Sequence, residues 1–275
     1  KGMAMDVETL SLAELSRRLA SGSLSEMQLQ RLGHDARAGA RKLAKRGLAR
    51  LAAQRAERDR LERMLSHERA LWRRGVRAVA GVDEVGVGPM AGPVVAAAVV
   101  LPPGTSLTGI DDSKKLDVEQ RERLAAQIRR CALGIGIGQC SVAEIDRLNI
   151  YHAARQAMRR AVLGLACAYE HVLVDARTIP ELPSPQQAIP KGDAASQSVA
   201  AAAILAKVTR DAAMCALAER YPGYGFERHK GYCTPEHQAA LARLGPCAEH
   251  RRAYAPVRAA LASARRDSSA RQAYG

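Results

Sequence analysis

Residues 81–93 read GVDEVGVGPMAGP, and a largely apolar run from Val76 to Val82 leads into them. Two adjacent acids, Asp83 and Glu84, end that run. Neighbouring side chains on a strand point to opposite faces, so the pair can serve one site only if the strand stops there. The glycines that follow allow such a stop. Two readings stand for this stretch by itself: a solvated strand end or part of a catalytic site.

Downstream, VVAAAVVL at 94–101 reads as a second strand, ended by Pro102-Pro103-Gly104 and forming a hairpin with the strand over 76–83. The loop GIDDSKKL (109–116) leads to a helix over 117–130, and 133–139 alternates as a third strand. Ser141 with Glu144 has the spacing of a capping box and opens the next helical stretch. A helix over 151–168 precedes a short apolar strand, His171 to Asp175, which again ends in an acid. Four prolines mark 178–192 as a loop whose end, 188–191, forms a last strand. An apolar helix over 194–219 carries Lys207, Arg210 and Asp211, and the loop YPGYGFERHKGYCTPEH (221–237) follows it. Thr234 caps the next helix with Pro235 at its first position, and a short helix over 254–264 closes the domain. The polar tail, 265–275, is expected to be disordered.

Upstream, 9–20 and 24–32 read as short helices split by Ser21-Gly22-Ser23, and 34–74 as a long arginine- and alanine-rich helix. Its apolar spacing is too irregular for a sustained coiled coil. Gly75 marks the boundary, giving a helical basic appendage over 1–75 and a main α/β domain over 76–264. The formal charge is +14, and residues 1–78 hold 18 basic against 9 acidic side chains. Such an excess points to a polyanionic partner, since lysine and arginine displace counterions from phosphates. An arginine-rich bias of the whole proteome is the plainer alternative. Six cysteines show no Cys-x-x-Cys pair, which indicates neither a disulfide framework nor a zinc site. With no long apolar run, a soluble, cytoplasmic protein is expected.

Asp83, Glu84 and Asp175 at strand ends, with Asp211 on a helix, are all oxygen donors. That set suits Mg²⁺ or Mn²⁺, and two such ions about 4 Å apart serve phosphoryl displacement. Asp211 could instead pair with Lys207 or Arg210 on its own helix. Gly86-Val87-Gly88 followed by Ala91 matches a loose dinucleotide fingerprint, but Pro89, Gly92 and Pro93 lead into a strand rather than the helix that fingerprint needs. These glycines either let backbone approach a ligand beside the acids or form a plain turn. His229, among Arg228, Lys230 and Tyr232, reads as part of a phosphate-facing patch. Tyr232 either stacks on a sugar or base or is buried.

Taken together, these residues resemble ribonuclease HII. GVDEVGVGPMAGPV (81–94), DDSKKL (111–116), IDRLNI (145–150), LVDA (173–176), KGDAASQSVAAAAILAKVTRD (191–211), YPGYGFERHKGY (221–232) and LGPCAEHRRAYAPV (244–257) stand in that family's order. The resemblance implies an RNase H-like mixed sheet flanked by helices, with Asp83, Glu84, Asp175 and Asp211 as catalytic metal ligands for Mg²⁺ or Mn²⁺. It implies hydrolysis 5′ to a ribonucleotide in RNA/DNA hybrids or ribonucleotide-containing duplex DNA, by metal-activated water, for ribonucleotide and primer removal. Tyr232 matches the tyrosine that packs on the junction sugar, and Ser113, Lys114 and Lys115 match a backbone-contacting loop. Gly86, Val87 and Gly88 match the loop that senses the ribose 2′-hydroxyl. Lys207 and His229 fall in the same substrate-binding set. The appendage, with LGHDARAGARKL at 32–43, resembles the substrate-binding N-terminal extension of the Bacillus-type members. A monomer is expected.

One position departs from the pattern. The family reads Gly-Arg-Gly where this chain has Val87, and valine offers phosphate no side-chain donor. Weakened junction recognition is therefore expected unless a nearby arginine compensates. A hybrid-binding module without catalysis and an integrase-type DNA nuclease remain as rivals.

Overall fold

A computed structural model describes residues 6–263 of the chain. The tail expected to be disordered lies outside the described residues. The chain divides into two compact units, 1–62 and 63–275.

In the first unit, a 3₁₀ turn (Val7–Thr9) precedes α1 (Leu12–Ser21), α2 (Glu26–Leu32) and α3 (Ala38–Met64), whose last residues belong to the second unit. Ser11 caps α1, and Ser25 with Gln28 forms a reciprocal capping box on α2, so both short helices start where a side chain satisfies orphan N–H groups. Leu15, Leu19, Leu29 and Leu32 pack with Ala40 and Ala44 of α3 into a small core.

The second unit begins with α4 (Ser66–Arg73), followed by β1 (Val79–Val85), β2 (Val94–Val100), α5 (Val118–Cys131), β3 (Gly134–Cys140), α6 (Val142–Leu148) and α7 (Ile150–Leu163). Then come β4 (His171–Asp175), β5 (Gln186–Ile189), α8 (Gly192–Ala195), α9 (Gln197–Arg220), α10 (Phe226–His229) and α11 (Pro235–Leu244), with a further helical stretch over 255–263. The five strands form one mixed sheet in the order β3-β2-β1-β4-β5. β1 and β2 form the expected antiparallel hairpin, and β4 joins β1 in parallel.

The long helix expected over 34–74 is broken at Leu65. Leu71 of α4 packs with Val79, Leu173, Ile189 and Val199, and the buried Glu68 carboxylate accepts from Ser196 Oγ (2.6 Å), Ser198 N (3.0 Å) and Ser198 Oγ (2.9 Å). These anchors turn α4 onto the sheet unit. The division between units therefore falls one helix ahead of Gly75.

One face of the sheet packs on α7 through Ala80, Val82, Ala96 and Ala98 against Ala153, Ala157 and Ala161. The other face meets α9, whose residues Val199–Ala206 are all buried. A Cβ on Gly81 would lie 2.0 Å from the Ser198 carbonyl carbon, so β1 rests directly on the α9 backbone. At Gly81, the strand and helix that carry acids thus meet backbone to backbone.

Candidate active site

β1 does not stop at Asp83. It runs on to Val85, with Asp83 opposite Ala97 and Glu84 opposite Ala96, so the two acids leave the strand on opposite faces. The Asp83 carboxylate folds along the chain and accepts from the backbone Glu84 N at 2.7 Å. Asp175 ends β4 one residue beyond the registered pair Val82 and Val174, and so projects on the Asp83 side of the neighbouring strand. Its Oδ1 accepts from Gly192 N at 2.6 Å. Ala176 and Lys191, flanking this contact, both hold positive φ (53° and 55°), a backbone strain of the kind that collects at functional sites.

The electrostatics mark Asp83, Glu84 and Asp175 as one cluster. Burial raises the Asp83 carboxyl well above the usual range, and the charges of Glu84, Asp175 and Asp193 push it further. Glu84 is raised by burial and then by Asp175, with Arg177 opposing. Asp193 is raised by burial, Asp112 and Asp175. Asp193 and Asp112 join the cluster too: Asp193 follows the Lys191-Gly192 turn that meets Asp175, and Asp112 belongs to the DDSKKL loop.

Asp211 stands apart. Its Oδ1 accepts from Lys207 Nζ at 2.7 Å on the same helix, the pairing that its spacing left open. Among the described residues, no group of three or more histidine, cysteine or acidic side chains is arranged to hold a metal ion as it stands. The chemistry of the cluster nevertheless fits a hard cation. Its donors are all oxygens, its members repel one another, and the buried Glu84 Oε2 has no hydrogen-bond partner.

The glycine loop lies beside these acids and is held from within by two fully buried arginines. Arg251 donates to the carbonyls of Gly86 (Nη2, 2.6 Å), Val87 (Nη1, 3.1 Å) and Gly92 (Nε, 3.0 Å). Arg210, next to Asp211, donates to the carbonyls of Pro93 (2.9 Å), Lys230 (2.9 Å) and Ala91 (3.2 Å). Burial, then the charge of Arg251, lowers Arg210 to about 10, so it keeps its proton at neutral pH. Gly86 adopts φ +95°, and a Cβ there would lie 2.3 Å from Arg210 Nε. By its spacing Arg210 is a possible partner for Asp211, but it goes to the loop carbonyls instead, and Arg251 carries no signal in the sequence. Val87 is 39% exposed, whereas Arg251 beside it is fully buried and spends its donors on the loop backbone.

Tyr232 is 44% exposed, and its ring edge lies 3.6 Å from where a Gly88 Cβ would stand. His229 differs from expectation. It is buried, its Nε2 donates to Tyr224 O at 2.8 Å and its Nδ1 accepts from Gly231 N at 3.2 Å. Both nitrogens serve the loop, and none is left for a phosphate. Ser113 is buried, whereas Lys115 is exposed and pairs with Asp111 at 3.1 Å. Burial works against the Lys114 charge, but Asp112, Asp193, Asp83 and Asp175 outweigh it and raise its pKa, which puts this lysine in the field of the acid cluster.

The ribonuclease HII family model matches residues 80–257, which spans every element of this site. The chain belongs to the ribonuclease HII family. The model of the family's N-terminal domain matches residues 11–72. A ribonuclease HII of Myxococcus xanthus is 52% identical over 254 residues, covering 91% of this chain and 87% of the relative. Among solved structures, the ribonuclease H2 of Pyrococcus horikoshii aligns with a TM-score of 0.58 at 26% identity, over 66% of this chain and 96% of that one. Bst-RNase HIII, solved in complex with Mn²⁺, aligns with a TM-score of 0.57 at 21% identity, over 70% of this chain and 71% of that one, and shares the fold. The mixed sheet with its flanking helices is thus the RNase H-like architecture, and the chain is a nuclease of the ribonuclease H type. Ribonuclease HII is a metal-dependent family, and nothing supports the non-catalytic rival.

Proposed function

We propose that this ribonuclease HII hydrolyses the phosphodiester 5′ to a ribonucleotide in RNA/DNA hybrids and in duplex DNA, leaving a 3′-hydroxyl and a 5′-phosphate. The observation that carries the reading is the acid cluster of buried Asp83 with half-buried Glu84 and Asp175, beside a glycine loop fixed through its carbonyls. In a trans peptide, C=O and N–H point in opposite directions. Drawing the Gly86 and Val87 carbonyls inward to Arg251 therefore turns the Val87 and Gly88 N–H groups outward, where they can meet a ribose 2′-hydroxyl.

Asp83, Glu84 and Asp175 would hold Mg²⁺ or Mn²⁺, joined by Asp211 once its carboxylate leaves Lys207. When bound, the ions lower the pKa of water and neutralise charge on the phosphate. Lys207, so released, and Lys114 lie where they can offset charge on the scissile strand. Tyr232 packs on the junction sugar, and Ser113 and Lys115 order the loop that follows the backbone. The helical unit ahead of the catalytic domain adds affinity through its basic side chains. Cytoplasmic action as a monomer completes the proposal; among the described residues no helix is long and apolar enough to cross a membrane.

A DNA duplex carrying one ribonucleotide, incubated with Mg²⁺, with Mn²⁺ and with chelator, tests this. Cutting on the 5′ side only with a divalent ion, and no cutting of all-DNA duplex, is expected. Equal cutting of all-DNA duplex would point to a DNA nuclease instead.

A further inference from the structure

Behind Tyr232 lies a chain of buried imidazoles with one consistent set of proton positions. Cys247 N donates to His250 Nδ1 at 3.0 Å, with Cys247 Sγ 3.1 Å from the same nitrogen, so that nitrogen is an acceptor and Nε2 carries the proton. His250 Nε2 lies 3.1 Å from His237 Nε2, which must therefore accept. The remaining proton of His237 sits on Nδ1, 2.8 Å from the Tyr232 carbonyl oxygen, to which it donates. Phe226 packs edge-on against His237 (5.5 Å between centroids), and His229 stacks on it at 4.2 Å, so the ring cannot turn. Burial pushes both His237 and His250 down to about 4, which keeps this chain neutral at physiological pH.

The same short segment reaches the glycine loop. His250 bridges to Ala91, Glu249 O accepts from Gly92 N at 2.8 Å, and Arg251 holds the Gly86 and Val87 carbonyls. Met90 N donates to Gly231 O at 3.0 Å, closing the assembly on the tyrosine side. Residues 249–251 thus grip the loop directly and Tyr232 through His237.

We propose that His237 is a positioning residue for Tyr232: its Nδ1–H, oriented by His250, fixes the Tyr232 carbonyl and so holds the ring in register with Gly88, setting where the strand is cut without touching it. This rests on the reading above that Tyr232 packs on the junction sugar. Two substitutions separate positioning from mere packing. Asparagine places an amide near the imidazole Nδ1 and keeps the bond to Tyr232, whereas glutamine reaches the Nε2 position and keeps only the link to His250.

The test measures kcat, KM, cut position and unfolding midpoint for wild type, His237→Asn, His237→Gln, Tyr232→Ala and the double variant Tyr232→Ala with His237→Gln. The substrate is the single-ribonucleotide duplex with Mg²⁺. His237→Gln is expected to lower kcat about tenfold with KM held within about twofold, as a displaced group away from the chemistry does. His237→Asn is expected to restore most of that rate at a similar midpoint, and the double variant to be no slower than Tyr232→Ala, since both changes remove one interaction. Asparagine and glutamine variants slowed in proportion to their midpoints, or full additivity in the double variant, would overturn the proposal. If wild type cuts and Tyr232→Ala cuts equally fast, the positioning role falls while the nuclease reading stands. If wild type itself fails to cut, the reading of function falls and takes the proposal with it.

Discussion

Val87 turns its side chain to solvent while Arg251 and the Tyr254 hydroxyl, at 3.1 and 2.6 Å, hold its carbonyl. Side chain and loop shape are therefore separate. Val87→Arg is expected to lower KM for the ribonucleotide duplex several-fold at low salt and to steepen the salt dependence by about one unit of slope, with the cut position unchanged. Steady-state kinetics across a salt series checks this; unchanged KM and slope would mean that no phosphate passes position 87. The acids make a second prediction. Because burial and mutual repulsion raise Asp83 and Glu84, their native forms bind protons more tightly than the unfolded chain does. The contribution of these two groups to stability without divalent ions is thus full below the unfolded carboxylate range, near pH 4, and is lost as pH rises through the raised native values. Asp83→Asn should raise the unfolding midpoint at pH 7.5 by about 2–4 °C in chelator, lose that gain towards pH 4, and abolish cleavage. Wild type should gain stability from Mn²⁺, and the variant little; thermal melts with and without the ion decide it.

At the scale of elements, the contact of Gly81 with the α9 backbone leaves no room for a methyl group. Gly81→Ala is expected to cost about 3 kcal/mol or more, read by denaturant unfolding, because backbone cannot swing aside as a long side chain can. The hairpin of β1 and β2 is legible in the sequence since apolar runs flank a glycine turn, and β4 since its run ends on an acid. The reach of β1 beyond Asp83 is not, because Glu84-Val85 looks the same at a strand end as inside a ladder. The site divides likewise. Asp83, Glu84 and Asp175 are legible as acids at the ends of apolar runs, whereas Asp193 and Asp112 carry no periodic signal and enter through loops. Arg210, Arg251, His237 and His250 are hidden for another reason: burial of a polar side chain depends on carbonyls supplied from distant segments, and no local pattern encodes those. His229 shows the converse, a side chain that reads as basic surface but is used by its own loop.

For the whole molecule, the break ahead of Gly75 changes how the basic extension should be removed. Protein beginning at Arg63 keeps α4, with Glu68 on Ser196 and Ser198 and Leu71 in the core. It should fold, keep kcat and show a raised KM with a shallower salt slope. Protein beginning at Val76 loses those anchors and should melt roughly 5 °C or more lower, since it strips partners from buried polar groups at the start of α9. Comparing melts and salt-dependent KM for the two truncations checks both statements; equal midpoints would show that α4 contributes nothing to the catalytic unit. The glycine loop has a consequence at this scale too. Because its shape is maintained by carbonyl contacts with Arg210 and Arg251, the side chain at position 87 can be exchanged without reshaping the loop. On the proposed reading, grip on the nucleic-acid backbone can then be changed at that one position while the loop that would meet the ribose keeps its shape, so affinity and chemical discrimination would be tuned separately.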